Sequence, residues 1–91
     1  MANLEVELVA RDRTVWSGDA TQVSAPAAEG EVGILVGHQP LLAVLKPGTV
    51  RIFGLDRSVL EAKVDAGFIS VDDDQVTVVV DSAEVLGGSR R

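Results

Sequence analysis

Three groups of side chains in this 91-residue chain could do chemistry. They are the single imidazole His38, the carboxylates Glu29 and Glu31 on either side of Gly30, and the run Asp72-Asp73-Asp74. A metal at His38 would need a second good nitrogen or sulfur ligand, and the chain has no cysteine. A serine triad would need a serine on a strained elbow, and no Gly-x-Ser-x-Gly occurs. Set between Gly37 and Pro40, His38 reads instead as an edge residue whose ring nitrogen bonds a neighbouring backbone group. Paired carboxylates do acid–base work inside a pocket, and Glu29 and Glu31 sit on a glycine turn with no pocket lining near them. They read either as a solvated turn or as a charged rim meeting a basic partner, where such groups set register and encounter rate. The three aspartates lack the spacing and later glutamate of a calcium loop and read as a hairpin tip that blunts a strand edge. Gly30-x-x-Gly33 has no Gly-Lys-Ser/Thr ending and is not a phosphate loop. No catalytic constellation, metal site or cofactor site is expected, and the residues describe a non-enzymatic interaction domain.

The elements that must carry these groups are strands. Residues 4–10 alternate apolar and polar with period two, which predicts a half-buried strand with Leu4, Val6, Leu8 and Ala10 on the core side. Residues 11–13 form a polar turn, 14–17 resume extended chain, and Gly18-Asp19 signals another turn. Residues 20–25 are its hairpin partner, ended by Pro26, which cannot donate to a ladder. A small-residue loop and Glu29-Gly30-Glu31 lead into a short strand over 32–35. The unbroken apolar run Leu41-Leu42-Ala43-Val44-Leu45 suits a strand buried on both faces, or one covered by the fold on one side and by a partner on the other. Lys46-Pro47-Gly48 is a tight turn, with glycine free to take positive φ. Further strands are expected over 49–53, 59–64, 66–71 and 76–80, with Gly67 marking a bulge or a close backbone approach. No helical periodicity is sustained. Many short strands at regular turn spacing give an all-β sandwich or flattened barrel, one domain over residues 1–84, with 85–91 as a short flexible tail.

Bulk composition bounds the partners. Hydrophobic residues make up 46% of the chain, with one Trp, two Phe and no Tyr, so the interior must be built from aliphatic side chains. The net charge of −6, from 14 acidic and 8 basic residues, argues against nucleic acid and anionic lipid as direct ligands. No apolar run approaches the roughly 20 residues of a membrane span, and Met1-Ala2-Asn3 opens no secretory signal. A soluble cytoplasmic domain with a thin stability margin is expected, one that a partner would stabilise.

Glu29-Gly30-Glu31-Val32-Gly33-Ile34-Leu35, Gly37-His38-Gln39-Pro40-Leu41-Leu42, and Leu45-Lys46-Pro47-Gly48 follow one another in an order that resembles the N-terminal domain of the epsilon subunit of rotary ATP synthases. Trp16-Ser17-Gly18, Ala66-Gly67-Phe68-Ile69-Ser70-Val71 and Val76-Thr77-Val78 extend the resemblance over nearly the whole chain. Val36 stands where a proline is often found, and Ala66 replaces the first glycine of Gly-Gly-Phe.

The resemblance implies a ten-stranded flattened β-sandwich in the foot of the rotor stalk. Such a subunit is non-catalytic and couples the gamma subunit to the membrane c-ring of a proton-translocating ATP synthase. It is peripheral on the cytoplasmic side of the bacterial plasma membrane, without lipid insertion, and weak association with a second copy is allowed. Glu29, Gly30, Glu31 and Val32 correspond to the c-ring interface, where arginine-bearing loops suit carboxylates. His38, Pro40, Leu42 and Ala43 correspond to the gamma-subunit interface. Many family members carry a C-terminal helical hairpin that restrains ATP hydrolysis. This chain stops near the sandwich's end, so neither that inhibition nor nucleotide binding is expected. The alternative reading is a small non-enzymatic binding or carrier module. Lys46 is the carrier candidate, because biotinyl and lipoyl domains hold a lysine at a hairpin tip, but Pro47 and Gly48 depart from their acceptor turns.

Overall fold

The alternation at the start of the chain folds as expected. In β1 (Leu4–Ala10) the side chains of Leu4, Val6, Leu8 and Ala10 are buried, while Glu5 and Glu7 face solvent. The computed structural model describes residues 3–90, with side chains through residue 86. Eight more strands follow: β2 (Arg13–Ala27), β3 (Gly30–Leu35), β4 (Leu41–Leu45), β5 (Gly48–Gly54), β6 (Ser58–Val64), β7 (Gly67–Asp72), β8 (Gln75–Val80) and β9 (Ala83–Arg90). No helix occurs among the described residues, so the chain is all-β.

Three corners turn these strands into two facing layers. β2 holds 15 residues, about 50 Å if straight at 3.3–3.4 Å per residue, yet the longest dimension of the molecule is 32 Å. It therefore bends. Its first half pairs antiparallel with β1, from Leu4 opposite Ala20 to Ala10 opposite Arg13. Its second half pairs with β3 on one side and β5 on the other, and the β5 register shifts between Ala20 and Gln22. The other two corners lie side by side. β6 continues into β7 through Asp65-Ala66, and β8 into β9 through Asp81-Ser82. These two connections bond to each other, Asp65 N–H to the Ser82 carbonyl at 3.2 Å and Asp81 N–H to the Ala66 carbonyl at 3.1 Å. The Ser82 hydroxyl donates to Asp65 Oδ2 at 2.8 Å. One layer is thus β4-β7-β8-β1 with the first half of β2, and the other is β3, the second half of β2, β5, β6 and β9. β1 and β8 run parallel, and the remaining pairs are antiparallel. With the two halves of β2 counted separately, the nine strands become the ten of the expected sandwich.

Aliphatic side chains from both layers meet between them: Leu4, Leu8, Ile69 and Val78 from one, Val23, Ile34, Val50 and Ile52 from the other. No polar or charged side chain is buried among the described residues. Each fully buried Val, Leu or Ile contributes about 1.5–3 kcal/mol of transfer free energy, which is how a core without a single buried aromatic ring suffices.

Several local expectations need correction. Gly18-Asp19 is not a turn, because β2 runs through it and the hairpin with β1 closes at Arg11-Asp12. Glycine there leaves room for the Trp16 ring, which a Cβ on Gly18 would meet at 3.0 Å. Pro26 does not end its strand. It falls in the gap after the β5 ladder, whose last pair is Ser24 with Arg51, and before the β4 pair of Ala27 with Leu45. Its missing N–H is not needed there, and its carbonyl accepts from Lys46 N–H at 2.9 Å. Gly48 does not take a positive φ. A Cβ there would meet the Pro26 ring at 2.9 Å, so it too is a matter of room. The boundary drawn after residue 84 falls inside β9, where Val85 lies opposite Ala62 and Arg90 opposite Ser58. Pairing to β6 gives this segment backbone partners that its Gly- and Arg-rich composition does not announce. Residue 91 and the side chains of 87–90 lie outside the described residues.

Candidate functional site

The glutamate turn is a two-residue connection, Ala28-Glu29, between Ala27 and Gly30, which pair across the β2–β3 hairpin. Gly30 carries φ +133°, a conformation that L side chains rarely adopt, and a Cβ there would meet only open space. Conformation, not crowding, selects glycine at this position. The turn is fastened to β4, with Ala28 N–H donating to the Val44 carbonyl at 2.9 Å. Glu29, Gly30 and Glu31 are exposed and Val32 is half-buried against the core. Val32 lies opposite Ala25 on the inner side of the layer, so it supports the turn and presents nothing outward. The two carboxylates are not equivalent. Glu29 makes no hydrogen bond or ion pair among the described residues. Glu31 accepts from the Ser24 hydroxyl, and its Oε2 stands 3.8 Å from a terminal guanidinium nitrogen of Arg51.

The loop holding His38 is fixed from a different direction. At the tip of the β7–β8 hairpin, Asp73 and Asp74 take φ of 53° and 63°, the left-handed pair that a two-residue type I′ turn demands. The three-aspartate run is thus a hairpin tip. From there Asp74 Oδ1 accepts Gly37 N–H at 2.8 Å, and its carbonyl accepts Glu5 N–H at 2.9 Å. His38 N–H bonds the Leu35 carbonyl at 3.1 Å, and Nδ1 lies 2.7 Å from the Gln39 carbonyl. A carbonyl only accepts, so Nδ1 is the donor in this contact. His38 is half-buried and Pro40 exposed.

β4 joins the two loops, spanning about 14 Å from Leu41 to Leu45 at 3.4 Å per residue. The five-residue apolar run is buried on one face only. Leu42 and Val44 are 72% and 65% exposed, while Leu41, Ala43 and Leu45 turn inward. Ala43 lies opposite fully buried Ile69. It therefore shares a strand with Leu42 but not a face. The outward face extends across the layer, because directly paired residues project on the same side. Val44 lies opposite Phe68, Phe68 opposite Val79, and Val79 opposite Val9. These four make a row across four strands, about 14 Å wide at 4.8 Å per strand, with Leu42 beside it. Phe68, Val79 and Val9 escape sequence reasoning because only cross-strand register assembles them. Val44 alone had a local signal, two residues on from Leu42. A groove between Ala28-Glu29 and β4 connects this apolar face to the glutamate turn, making one continuous surface.

Nothing in this surface aligns a nucleophile, a base and an oxyanion donor. Among the described residues, no group of three or more His, Asp or Glu side chains is arranged to hold a metal ion. No helix of the described chain is long and apolar enough to cross a membrane. The arrangement can do recognition: apolar burial over the β4 face, and charge pairing at the turn.

Residues 3–85 match the family described as "ATP synthase, Delta/Epsilon chain, beta-sandwich domain". Over 84 residues the chain is 48% identical to the ATP synthase epsilon chain of Streptomyces griseus subsp. griseus, covering 92% of this chain and 68% of that one. Over 85 residues it is 46% identical to the ATP synthase epsilon chain of Micrococcus luteus, covering 93% of each. Among solved structures, a chain of the Euglena gracilis mitochondrial ATP synthase OSCP/F1/c-ring assembly superposes with a TM-score of 0.89 at 23% identity. A chain of the Tetrahymena thermophila mitochondrial ATP synthase central stalk/c-ring gives 0.74 at 18%. At these identities the two structures speak to the fold. This chain matches 55% of the length of the Euglena chain and 66% of the Tetrahymena one.

Proposed function

The chain belongs to the ATP synthase delta/epsilon β-sandwich family, and from that premise we propose that it is a non-catalytic subunit in the central stalk of a rotary, proton-translocating ATP synthase. In this reading it couples the gamma subunit to the c-ring and sits peripherally on the cytoplasmic side of the membrane. The gamma subunit docks on the outward face of β4, β7, β8 and β1, beside His38 and Pro40. The c-ring meets the turn at Glu29, Gly30 and Glu31.

The observation that carries the reading is the outward apolar row Val44–Phe68–Val79–Val9 with Leu42, in which Leu42, Val44 and Phe68 are large exposed side chains on adjacent strands. Contiguous apolar surface on a small soluble fold marks an interface. Its junction with an acidic turn lets one molecule bridge an apolar partner surface and a basic one. A sandwich packed to solid density is stiff, which suits the transmission of torque.

The test is co-elution of the full chain with the gamma subunit of its own source on size exclusion at low and high salt. A complex that persists at high salt is expected, because apolar burial is not screened. Leu42→Asp should weaken it tenfold or more, about 1.4 kcal/mol or above for a central interface side chain, while the melting temperature of the free chain stays unchanged. No complex at either salt would refute the assignment of this face to gamma.

A further inference from the structure

The outer face of the β3–β2–β5–β6 layer carries a row of polar side chains joined to one another by hydrogen bonds and ion pairs. Gly33 lies opposite Ser24, Ser24 opposite Arg51, and Arg51 opposite Glu61. Arg51 Nε donates to Glu61 Oε2 at 2.9 Å, and a terminal nitrogen of the same guanidinium stands 3.8 Å from Glu31 Oε2. The Ser24 hydroxyl donates to that same Glu31 oxygen. All the contacts of Glu31 therefore fall on Oε2, and Oε1 takes no partner among the described residues.

We propose that Arg51 is a positioning residue for Glu31. Glu61 anchors the guanidinium by its Nε edge, and the guanidinium and Ser24 together hold one oxygen of Glu31 against the sheet. The other oxygen is left directed at an incoming cation. Arginine suits this role because its planar fork offers separate donors to two carboxylates, whereas an ammonium is a single point. The half-exposed side chains (42% for Arg51, 43% for Glu61, 58% for Glu31) keep the network screened and each pair weak. Its effect is therefore orientational: it removes rotamer freedom from Glu31 before a partner arrives, so less is lost on binding. Glu29, two residues away, has no such support and stays adaptable. The holding of Glu31 stands on this chain alone; the identity of the cationic partner as the c-ring rests on the reading above.

Two measurements test the proposal on the full chain. First, three-bond NMR couplings report the χ1 of Glu31. One dominant rotamer is expected in the native chain, averaged rotamers in Arg51→Gln, and intermediate behaviour in Arg51→Lys, with Glu29 unaffected throughout. Unchanged Glu31 couplings in Arg51→Gln would overturn the proposal. Second, affinity for the purified c-ring of the same source in nanodiscs is measured for single and double variants. Glu31→Gln and Arg51→Gln should each weaken binding about two- to fivefold, the range of an exposed ion pair. The double variant Arg51→Gln/Glu31→Gln should be no weaker than Glu31→Gln alone. Losses that multiply would mean that Arg51 acts independently of Glu31, and would also overturn the proposal. Averaged couplings combined with ring affinity indifferent to Glu29→Gln and Glu31→Gln would uphold the positioning by Arg51 and refute the ring-facing assignment of the turn.

Discussion

Gly67→Ala should be the most damaging single-methyl change in this protein. Gly67 opens β7 at the paired corners, directly opposite Val80. A Cβ there would lie 2.0 Å from the Val79 carbonyl oxygen and 2.7 Å from Val80 Cα, both backbone atoms that no rotamer change can move. Carbon and oxygen in contact sit about 3.3–3.6 Å apart, so β7 and β8 must separate by more than 1 Å. That movement breaks or stretches the two bonds that close the corner, Asp81 N–H to Ala66 and Asp65 N–H to Ser82, already 3.1 and 3.2 Å long. Two backbone bonds at about 0.5–1.5 kcal/mol each and overpacking at about 1–3 kcal/mol oppose a gain of about 0.4–1 kcal/mol from restricting the unfolded chain. The net loss is about 3 kcal/mol. Total stability for this length is about 5–14 kcal/mol, and a domain of this size melts about 4–8 °C lower per kcal/mol lost. The melting temperature should fall by about 12–24 °C, read by far-UV circular dichroism and by the fluorescence of Trp16. Gly33→Ala is the matched control, since its added Cβ would meet only Gln22 Nε2 at 3.8 Å. It should be neutral, or stabilising by up to about 1 kcal/mol. A Gly67→Ala protein melting within about 2 °C of the native chain would refute the close-approach argument.

The remaining predictions concern orientation and clamping. Ala43→Leu should destabilise the free chain by about 1–3 kcal/mol in urea unfolding, because Ala43 turns inward beside Ile69 and packs against the core; Val44→Ala, one residue on but outward, should cost under about 0.5 kcal/mol. Asp74→Ala should cost about 2 kcal/mol, from losing the bond to Gly37 N–H and from placing alanine at φ 63°. Asp74→Asn should recover most of that, and amide exchange at Gly37 should quicken only in the alanine variant. Gly18→Ala should displace the Trp16 indole, whose Cη2 and Cζ2 atoms would lie 3.0 Å from the new Cβ, and the emission of this only tryptophan should shift to the red.

Family membership and the all-β architecture were legible in the sequence, because both rest on local order. Period-two alternation over residues 4–10 specifies a strand and its buried face without reference to anything distant, and Leu4, Val6, Leu8 and Ala10 are all in the core. Gly67 was legible as a bulge or a close approach, since a glycine inside a strand run has few other uses, and the unshifted β7–β8 register makes it the close approach. The aspartate tip was legible because only a few residue types tolerate two successive left-handed positions. Gly18 and Gly48 misled for the same reason that Gly67 did not. A glycine chosen for space looks identical in sequence to one chosen for φ, and only the Trp16 and Pro26 rings nearby distinguish them.

What the sequence determined by itself was the all-β class, the place of most strands, the inward residues of the opening strand and the family, each encoded in neighbours along the chain. The tertiary structure alone decided which outward residues stand together. Val9, Val44, Phe68 and Val79 are far apart in sequence and form one row because register aligns them across four strands. Ala43 and Leu42 are adjacent and lie on opposite faces, because the pleat turns alternate side chains apart. Glu31 is separated from Glu29 by one residue, yet it alone is within reach of Arg51, because it stands in the β3 ladder across β2 from Arg51 while Glu29 lies in the turn beyond the ladder. Sequence order sets what each strand can bury; the pairing of strands sets what the folded surface can bind.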